Sequence, residues 1–236
     1  FEGTSDKIVY VMGDSHTLQY LNAIDTYYKL NGSSVKNDTL INSGAQFPPD
    51  AASFPEIFDF RVETVIISYF WALKFGSTEV NQSVRCCGNG SEGRIGEIAV
   101  RYRNQEEMDV FELKIDKFVK TLLASGKNVA FILDNPFGEE LDPTNFITFA
   151  GRNLMDFSPP VGASRDLFDL RRKDVNKRLL RISLENGIGY IDPFDFLCSD
   201  TWCPAITPDN HFIYKDYDHY SPYASKNLIK FIDNCF

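Results

Sequence analysis

Three residues far apart in the chain have the types that nucleophilic catalysis needs. Ser15 stands in Gly13-Asp14-Ser15-His16, directly after the apolar run Ile8-Val9-Tyr10-Val11-Met12. Asp216 and His219 stand near the other end, in Tyr214-Lys215-Asp216-Tyr217-Asp218-His219-Tyr220-Ser221. A serine hydroxyl is a weak nucleophile until a base takes its proton, and the usual base is an imidazole held by a carboxylate. Asp216, three residues before His219, can turn back to hold Nδ1–H while Nε2 faces Ser15. Asp218, next to His219, is the alternative orienting acid. The chain order Ser, Asp, His is one that known triads use. Plainer roles exist for both stretches: Asp14 and Ser15 could cap a helix, and the Asp-rich loop could be a solvated turn. What sets them apart is their joint placement, one at the end of the first strand and one before the last helix.

The elements that must bring these residues together follow from periodicity. Ile8 to Met12 reads as a buried parallel strand, and reaction sites on α/β sheets lie beyond the carboxyl ends of strands. Leu18, Leu21, Ile24 and Tyr28 then recur at helical spacing, with Asn31-Gly32 as a stop. A short strand is expected around Thr39 to Asn42, with Gly44 beyond its end, then a helix near Asp50 to Phe60 and a buried strand within Val62 to Phe70. Met108, Phe111, Ile115, Phe118 and Leu122 predict a helix that Gly126 ends. A strand at Val129 to Leu133 follows, then a helix carrying Phe168, Val175, Leu179 and Ile182 up to Gly187. A fifth strand at Ile188 to Ile191 precedes a last helix capped at Ser221-Pro222. Irregular insertions near 76–104 and 135–164 are too long for ordinary connections. The economical architecture over residues 1–236 is one α/β domain, a three-layer α/β/α sandwich on a five-stranded parallel sheet. Ser15, Gly44, Trp71, Asn135 and the segment after Ile191 would then meet at one sheet edge.

Composition narrows the partners. A net charge of −9 over 236 residues, with no basic tract, argues against nucleic acid. No run is long and apolar enough for a membrane helix, and the first residues are neither a signal peptide nor a Met start, so the expectation is a piece of a longer protein. Among Cys86, Cys87, Cys198, Cys203 and Cys235, only Cys198 and Cys203 are spaced to close a small loop in an oxidising compartment; buried free thiols are the other reading. No metal is expected, because that pair lacks a second Cys/His pair, although His16, His211 and His219 with nearby aspartates could converge on one. Asn-x-Ser/Thr triplets begin at Asn31, Asn37, Asn81 and Asn89 and carry little weight.

Gly13-Asp14-Ser15-His16 resembles the first block of the SGNH (GDSL-like) hydrolase superfamily, and Asp216-x-x-His219 resembles its last block. The chain is most similar to the SGNH domains joined to acyltransferase-3 membrane domains in bacterial O-acetyltransferases, in which the Cys198 to Cys203 segment is also similar. The resemblance implies a flavodoxin-like fold, with Ser15 as nucleophile, His219 as base and Asp216 as its orienting acid. The backbone N–H groups of Ser15 and Gly44 would form the oxyanion hole. It also implies acetylation of a cell-surface polysaccharide such as lipopolysaccharide O-antigen, in the periplasm. No cofactor would be bound; the acetyl donor, ultimately acetyl-CoA, would come through an acyltransferase-3 domain of the same chain. A secreted carbohydrate esterase and a non-catalytic sugar-binding module are the alternatives. The sequence departs from the superfamily after the third strand, where Ser68-Tyr69-Phe70-Trp71-Ala72 lacks the Asn that supplies a further oxyanion donor. Trp71 could stack on a sugar or fill the core. The long segments, with Arg85, Arg94, Tyr102, Phe137, Phe146 and Phe149, could wall a sugar groove or pack on themselves.

Overall fold

The run after Lys7 forms β1 (Ile8–Gly13), which lies inside the main sheet. The computed structural model describes residues 7–30, 34–39, 47, 51–76, 83–85, 97–99, 103–145 and 161–227. After β1 come α1 (Ser15–Leu30), β2 (Ser34–Thr39), β3 (Val62–Ser68), α2 (Trp71–Phe75), β4 (Ser83–Arg85), β5 (Glu97–Ala99) and α3 (Gln105–Ala124). The chain continues through β6 (Asn128–Ile132), β7 (Gly162–Ser164), α4 (Arg165–Asn186), β8 (Gly189–Ile191), α5 (Phe194–Leu197), β9 (Trp202–Pro204) and α6 (Pro222–Asn227). Among the described residues, five strands form one sheet in the order β2-β1-β3-β6-β8, and every neighbouring pair is parallel. This is the doubly wound order in which the sheet reverses direction beside β1, so the crevice at its carboxyl end opens where β1 and β3 diverge.

Side-chain alternation splits the core in two, as a strand buried on both faces requires. Tyr10 and Met12 of β1, Val65 and Ile67 of β3, and Val129 and Phe131 of β6 pack with Ile115, Phe118 and Leu122 of α3 and Val175, Leu179 and Ile182 of α4. Val9, Val11, Ile66 and Ile132 point the other way, against Tyr20, Ala23 and Ile24 of α1 and Ala224 of α6. The expected α/β/α sandwich is therefore the architecture observed. Local signals set its ends: Asn104 and Glu107 form a capping box at the start of α3, and Gly187 closes α4 in the left-handed region at φ 64°.

Three expectations about elements need correction. The second strand is Ser34–Thr39, starting ahead of the expected Thr39 to Asn42, of which residues 40–42 lie outside the described residues. It is the edge strand, so its polar sequence carries no buried-strand signal. From 51 to 60, where a helix near Asp50 to Phe60 was expected, the described residues form no α-helix but two short 3-10 turns, Ala51–Ser53 and Pro55–Phe58. Pro55 has no N–H to donate and disfavours helical backbone at Phe54. In α1 the buried stripe runs through Thr17, Tyr20, Ala23 and Ile24, leaving Leu18 exposed. Within 76–104, β4 and β5 pair as an antiparallel hairpin.

The segment before the last helix is tied down from outside the main sheet. β7 and β9 pair antiparallel, and a disulfide joins Cys198 to Cys203. From there a ladder of backbone hydrogen bonds runs inward, from Ala205 to Val161, from Ile213 to Ala205 and from Ser221 to Ile213. The loop that carries Asp216, Asp218 and His219 hangs between the last two rungs. Cys86, Cys87, Cys235, Gly44, Arg94, Tyr102, Phe146 and Phe149 lie outside the described residues, as do Asn31, Asn81 and Asn89.

Candidate active site

Gly13 makes the turn at the end of β1 so tight that only a glycine fits. Its φ is 156°, and a Cβ there would fall 1.5 Å from the Ser68 carbonyl oxygen at the end of β3. The Thr17 hydroxyl donates to that same oxygen. Asp14 then caps the helix start: its carboxylate accepts from the His16 N–H at 3.1 Å and, across to the β3–α2 connection, from the Phe70 N–H at 3.1 Å. Ser15 becomes the first residue of α1, half-buried at the end of the sheet. The capping role and the reactive role expected of Asp14 and Ser15 thus fall on neighbouring residues, Asp14 and Ser15 respectively.

The two distant motifs meet. Ser15 Oγ lies 2.9 Å from His219 Nε2. On the other side of the ring, Nδ1 faces the Asp216 carboxylate at 3.1 and 3.2 Å, and Asp216 Oδ1 also accepts the His219 backbone N–H at 2.7 Å. Asp218 approaches as well: its Oδ1 is 2.8 Å from Nδ1 but off the N–H direction, and its Oδ2 is 3.3 Å from Nε2 of His16. With Nδ1–H turned to Asp216, Nε2 is left to accept the Ser15 proton.

Electrostatics follow from this crowding. Burial alone would lower the His219 pKa, but the hydrogen bonding to Asp216 and the nearby carboxylates of Asp216 and Asp218 outweigh it and raise it to about 9. Burial likewise opposes ionisation of Asp218, yet the hydrogen bond from His16 and the adjacent His219 ring hold its carboxyl well below the usual carboxylate range. Deeper in, burial pushes Asp134 up to about 7, against the pull of His16 and of two backbone N–H groups.

Two residues given no role in the sequence analysis hold the His219 loop in place. Gln19, one turn after Ser15 on α1, donates from Nε2 to Asn135 Oδ1 at 2.8 Å and accepts the Tyr220 N–H at 2.7 Å. Asn135, beyond β6, donates to the Asp218 carbonyl at 2.9 Å. The Tyr20 and Tyr220 hydroxyls meet at 3.0 Å. The spacing of Ser15 and Gln19 on one helix face was the available signal for Gln19. Asn135 was expected at this sheet edge, though with no role attached.

After β3, the Trp71 ring and the Phe70, Trp71 and Ala72 N–H groups are all engaged within the protein. Trp71 is fully buried among Tyr69, Phe75 and Phe131, with Nε1 donating to the Ile132 carbonyl at 2.8 Å. Its backbone N–H and that of Ala72 go to Asp134 at 2.8 Å each, and the Phe70 N–H goes to Asp14. Trp71 is therefore a core residue, because the short α2 turns its ring under the sheet end. Phe137 is also buried, packed on Phe70 with ring centroids 5.0 Å apart. Among the described residues, the Ser15 N–H at the head of α1 is left without an acceptor, as an oxyanion donor would be. Gly44, the other expected donor, lies outside the described residues.

His211 does not join the other histidines; it stacks on Tyr223 beside Asp209, on the exposed Thr207 to His211 turn. His16, Asp218 and His219 do bring ligand-type atoms within 4.8 Å of one another. Those atoms face each other, Asp216 and Ser15, which suits proton handling better than a cation. After Ile191, Asp192 is bound by Arg172 at 2.5 Å and stands apart from Ser15's partners.

A family model described as SGNH domain (fused to AT3 domains) matches residues 1–234. Among solved structures, the periplasmic domain of the lipopolysaccharide acetyltransferase of Salmonella ser. Paratyphi A is similar over 98% of this chain and 84% of its own, at 13% identity and a TM-score of 0.55. TesA aligns over 97% of both chains, at 11% identity and a TM-score of 0.48. A search of curated protein sequences finds no match.

Proposed function

The chain belongs to the family of SGNH domains fused to AT3 domains, and from that premise we propose that it is the acyl-transfer domain of a periplasmic O-acetyltransferase. Ser15 takes an acetyl group and passes it to a hydroxyl of a cell-surface polysaccharide. The acetyl group, ultimately from acetyl-CoA, reaches it through an AT3 membrane domain. The observation that carries this reading is the 2.9 Å contact between Ser15 Oγ and His219 Nε2, with Asp216 behind the ring.

The steps follow from the geometry. Ser15 Oγ attacks the donor's acetyl carbonyl as its proton moves to His219 Nε2, and the negative charge on the carbonyl oxygen faces the free Ser15 N–H. The tetrahedral centre collapses, the donor's leaving oxygen or sulfur takes the proton from His219, and acetyl-Ser15 remains. The acceptor hydroxyl then attacks, giving its proton to His219. On the second collapse Ser15 leaves, takes that proton back, and the acetylated sugar departs. The stretch Ser68-Tyr69-Phe70-Trp71-Ala72, without the Asn that the superfamily uses as a further oxyanion donor, suits a domain that hands its acetyl group to a positioned sugar rather than to water. The acetyltransferase periplasmic domain of Salmonella ser. Paratyphi A, with which the fold is shared, supports the same choice.

The test is acetyl transfer to a defined oligosaccharide with Ser15→Ala as control. Acceptor-dependent transfer that disappears in Ser15→Ala is the expected result. Efficient hydrolysis with no transfer would make the chain an esterase using the same residues, and unchanged acetylation in cells carrying Ser15→Ala would make it a binding module.

A further inference from the structure

The motif residue His16 is not a catalytic residue of any step above, yet it is only 1% exposed and sits next to the nucleophile. Its ring is fixed by stacking on Phe70, with centroids 4.3 Å apart and planes 8° from parallel. That stacking aims Nε2 at Asp218 Oδ2, 3.3 Å away. Asp218 is equally buried, and its backbone is pinned by the Asn135 amide on its carbonyl and by Asp216 on its N–H. The other carboxylate oxygen lies 2.8 Å from His219 Nδ1. A buried carboxylate this deep persists as an anion only when partners compensate it.

We propose that His16 and Asp218 form a positioning pair for His219: His16 holds one oxygen of Asp218 so that the other stays beside Nδ1, and Asp218 shares with Asp216 the stabilisation of the imidazolium. This rests on the assignment of His219 as the base. Asp216 is 31% exposed at its side chain, so water screens it, whereas Asp218 acts through the interior. His16 meets the His219 ring only edge-on, with centroids 5.0 Å apart, and has no hydrogen bond to it. Its influence therefore passes through Asp218. The raised His219 pKa agrees with two carboxylates at one nitrogen.

The other charged groups packed around this pair are accounted for. Asp14, in the turn before α1, lies 3.8 Å from Lys74 of α2, and Asp134, beyond β6, is held by the Trp71 and Ala72 N–H groups. Neither hydrogen-bonds His219.

The experiment is an NMR titration of the His219 imidazole in the chain without substrate, in wild type, Asp218→Asn, His16→Phe, His16→Gln and the double variant Asp218→Asn with His16→Phe. Because it needs no turnover, it stands even if the acetyltransferase reading fails. Asp218→Asn, nearly isosteric, is expected to lower the midpoint by about one pH unit or more. His16→Phe keeps the stacking but removes the donor, and is expected to lower it by less. His16→Gln, which can still donate to Asp218, restores it, and His16→Phe adds nothing in the Asp218→Asn background. In assays, each loss is expected to appear as a fall in kcat of about 10-fold or more with KM unchanged. The proposal is overturned by an unchanged midpoint in Asp218→Asn or by a full His16→Phe shift in the double variant. It is equally overturned by a rise in His16→Phe, which would mean that His16 competes for Asp218 instead of holding it.

Discussion

Ser15 Oγ and His219 Nε2 are 2.9 Å apart although 204 residues separate them in sequence. The contact exists because β1 ends in a glycine turn on one side and because Gln19, Asn135 and the Tyr20–Tyr220 pair fasten the last loop on the other. Each of these supports has a measurable consequence.

Activity and stability should respond oppositely to pH between about 6.5 and 9. His219 has its folded pKa raised from 6.5 to about 9, so the paired imidazolium contributes stability in full below about 6.5 and loses it as pH rises through 9. The base, however, must be neutral. kcat/KM is therefore expected to climb toward pH 9 while the denaturation midpoint falls, as paired pH–rate and urea-unfolding series would show. A rate limb centred near the ordinary histidine value would contradict this.

Gln19→Ala removes the acceptor of the Tyr220 N–H and the donor to Asn135, both buried. The expected cost is about 1–3 kcal/mol of stability. Because the His219 loop is loosened, kcat should drop further than the stability loss alone explains at a temperature where the variant is fully folded. Circular dichroism melts beside kinetics check it.

Asp134 offers a second pH effect of known sign. Burial raises its pKa from 3.8 to about 7, so the protonated carboxyl contributes stability below about 3.8 that is lost as pH rises through 7. Asp134→Asn cannot ionise, and its unfolding free energy should vary less between pH 4 and 7 than that of wild type. The same series of denaturant curves at each pH measures it.

Reduction of Cys198–Cys203 should cost about 2 kcal/mol, as removing a small closed loop's constraint does. The hydrogen-bond ladder from β9 to Ser221 leads to the His219 loop. A Cys198→Ser, Cys203→Ser double variant is thus expected to melt lower and to lose activity at temperatures where the wild type keeps it.

The parallel core was legible because strands buried on both faces must be continuously apolar, as Ile8 to Met12 and Val65 to Ile67 are. The edge strand Ser34–Thr39 was not, since an edge has no such requirement. Ser15, Asp216 and His219 could be singled out because the chain has only three histidines and one of them, with an aspartate three residues before it, stands just ahead of the last helix, while Ser15 stands at the end of the first strand. Gln19 offered only its spacing from Ser15 on one helix face, because a glutamine there looks the same whether it meets solvent or Asn135. Trp71 was ambiguous for a related reason: only the placement of α2, pinned by Asp134, decides that its ring goes inward. His16 and Asp218 carry no spacing rule that links them; their contact follows from the Ser15–His219 approach itself.

The proposed chemistry stands on Ser15 as nucleophile and His219 as its base. The most direct measurement is mass-spectrometric mapping of the chain after reaction with an activated acetyl ester or a fluorophosphonate, in wild type, His219→Ala and Ser15→Ala. A single adduct on Ser15 is expected in wild type, little or none in His219→Ala and none in Ser15→Ala. Labelling of Ser15 that proceeds equally well without His219, or labelling that settles on another residue, would contradict it.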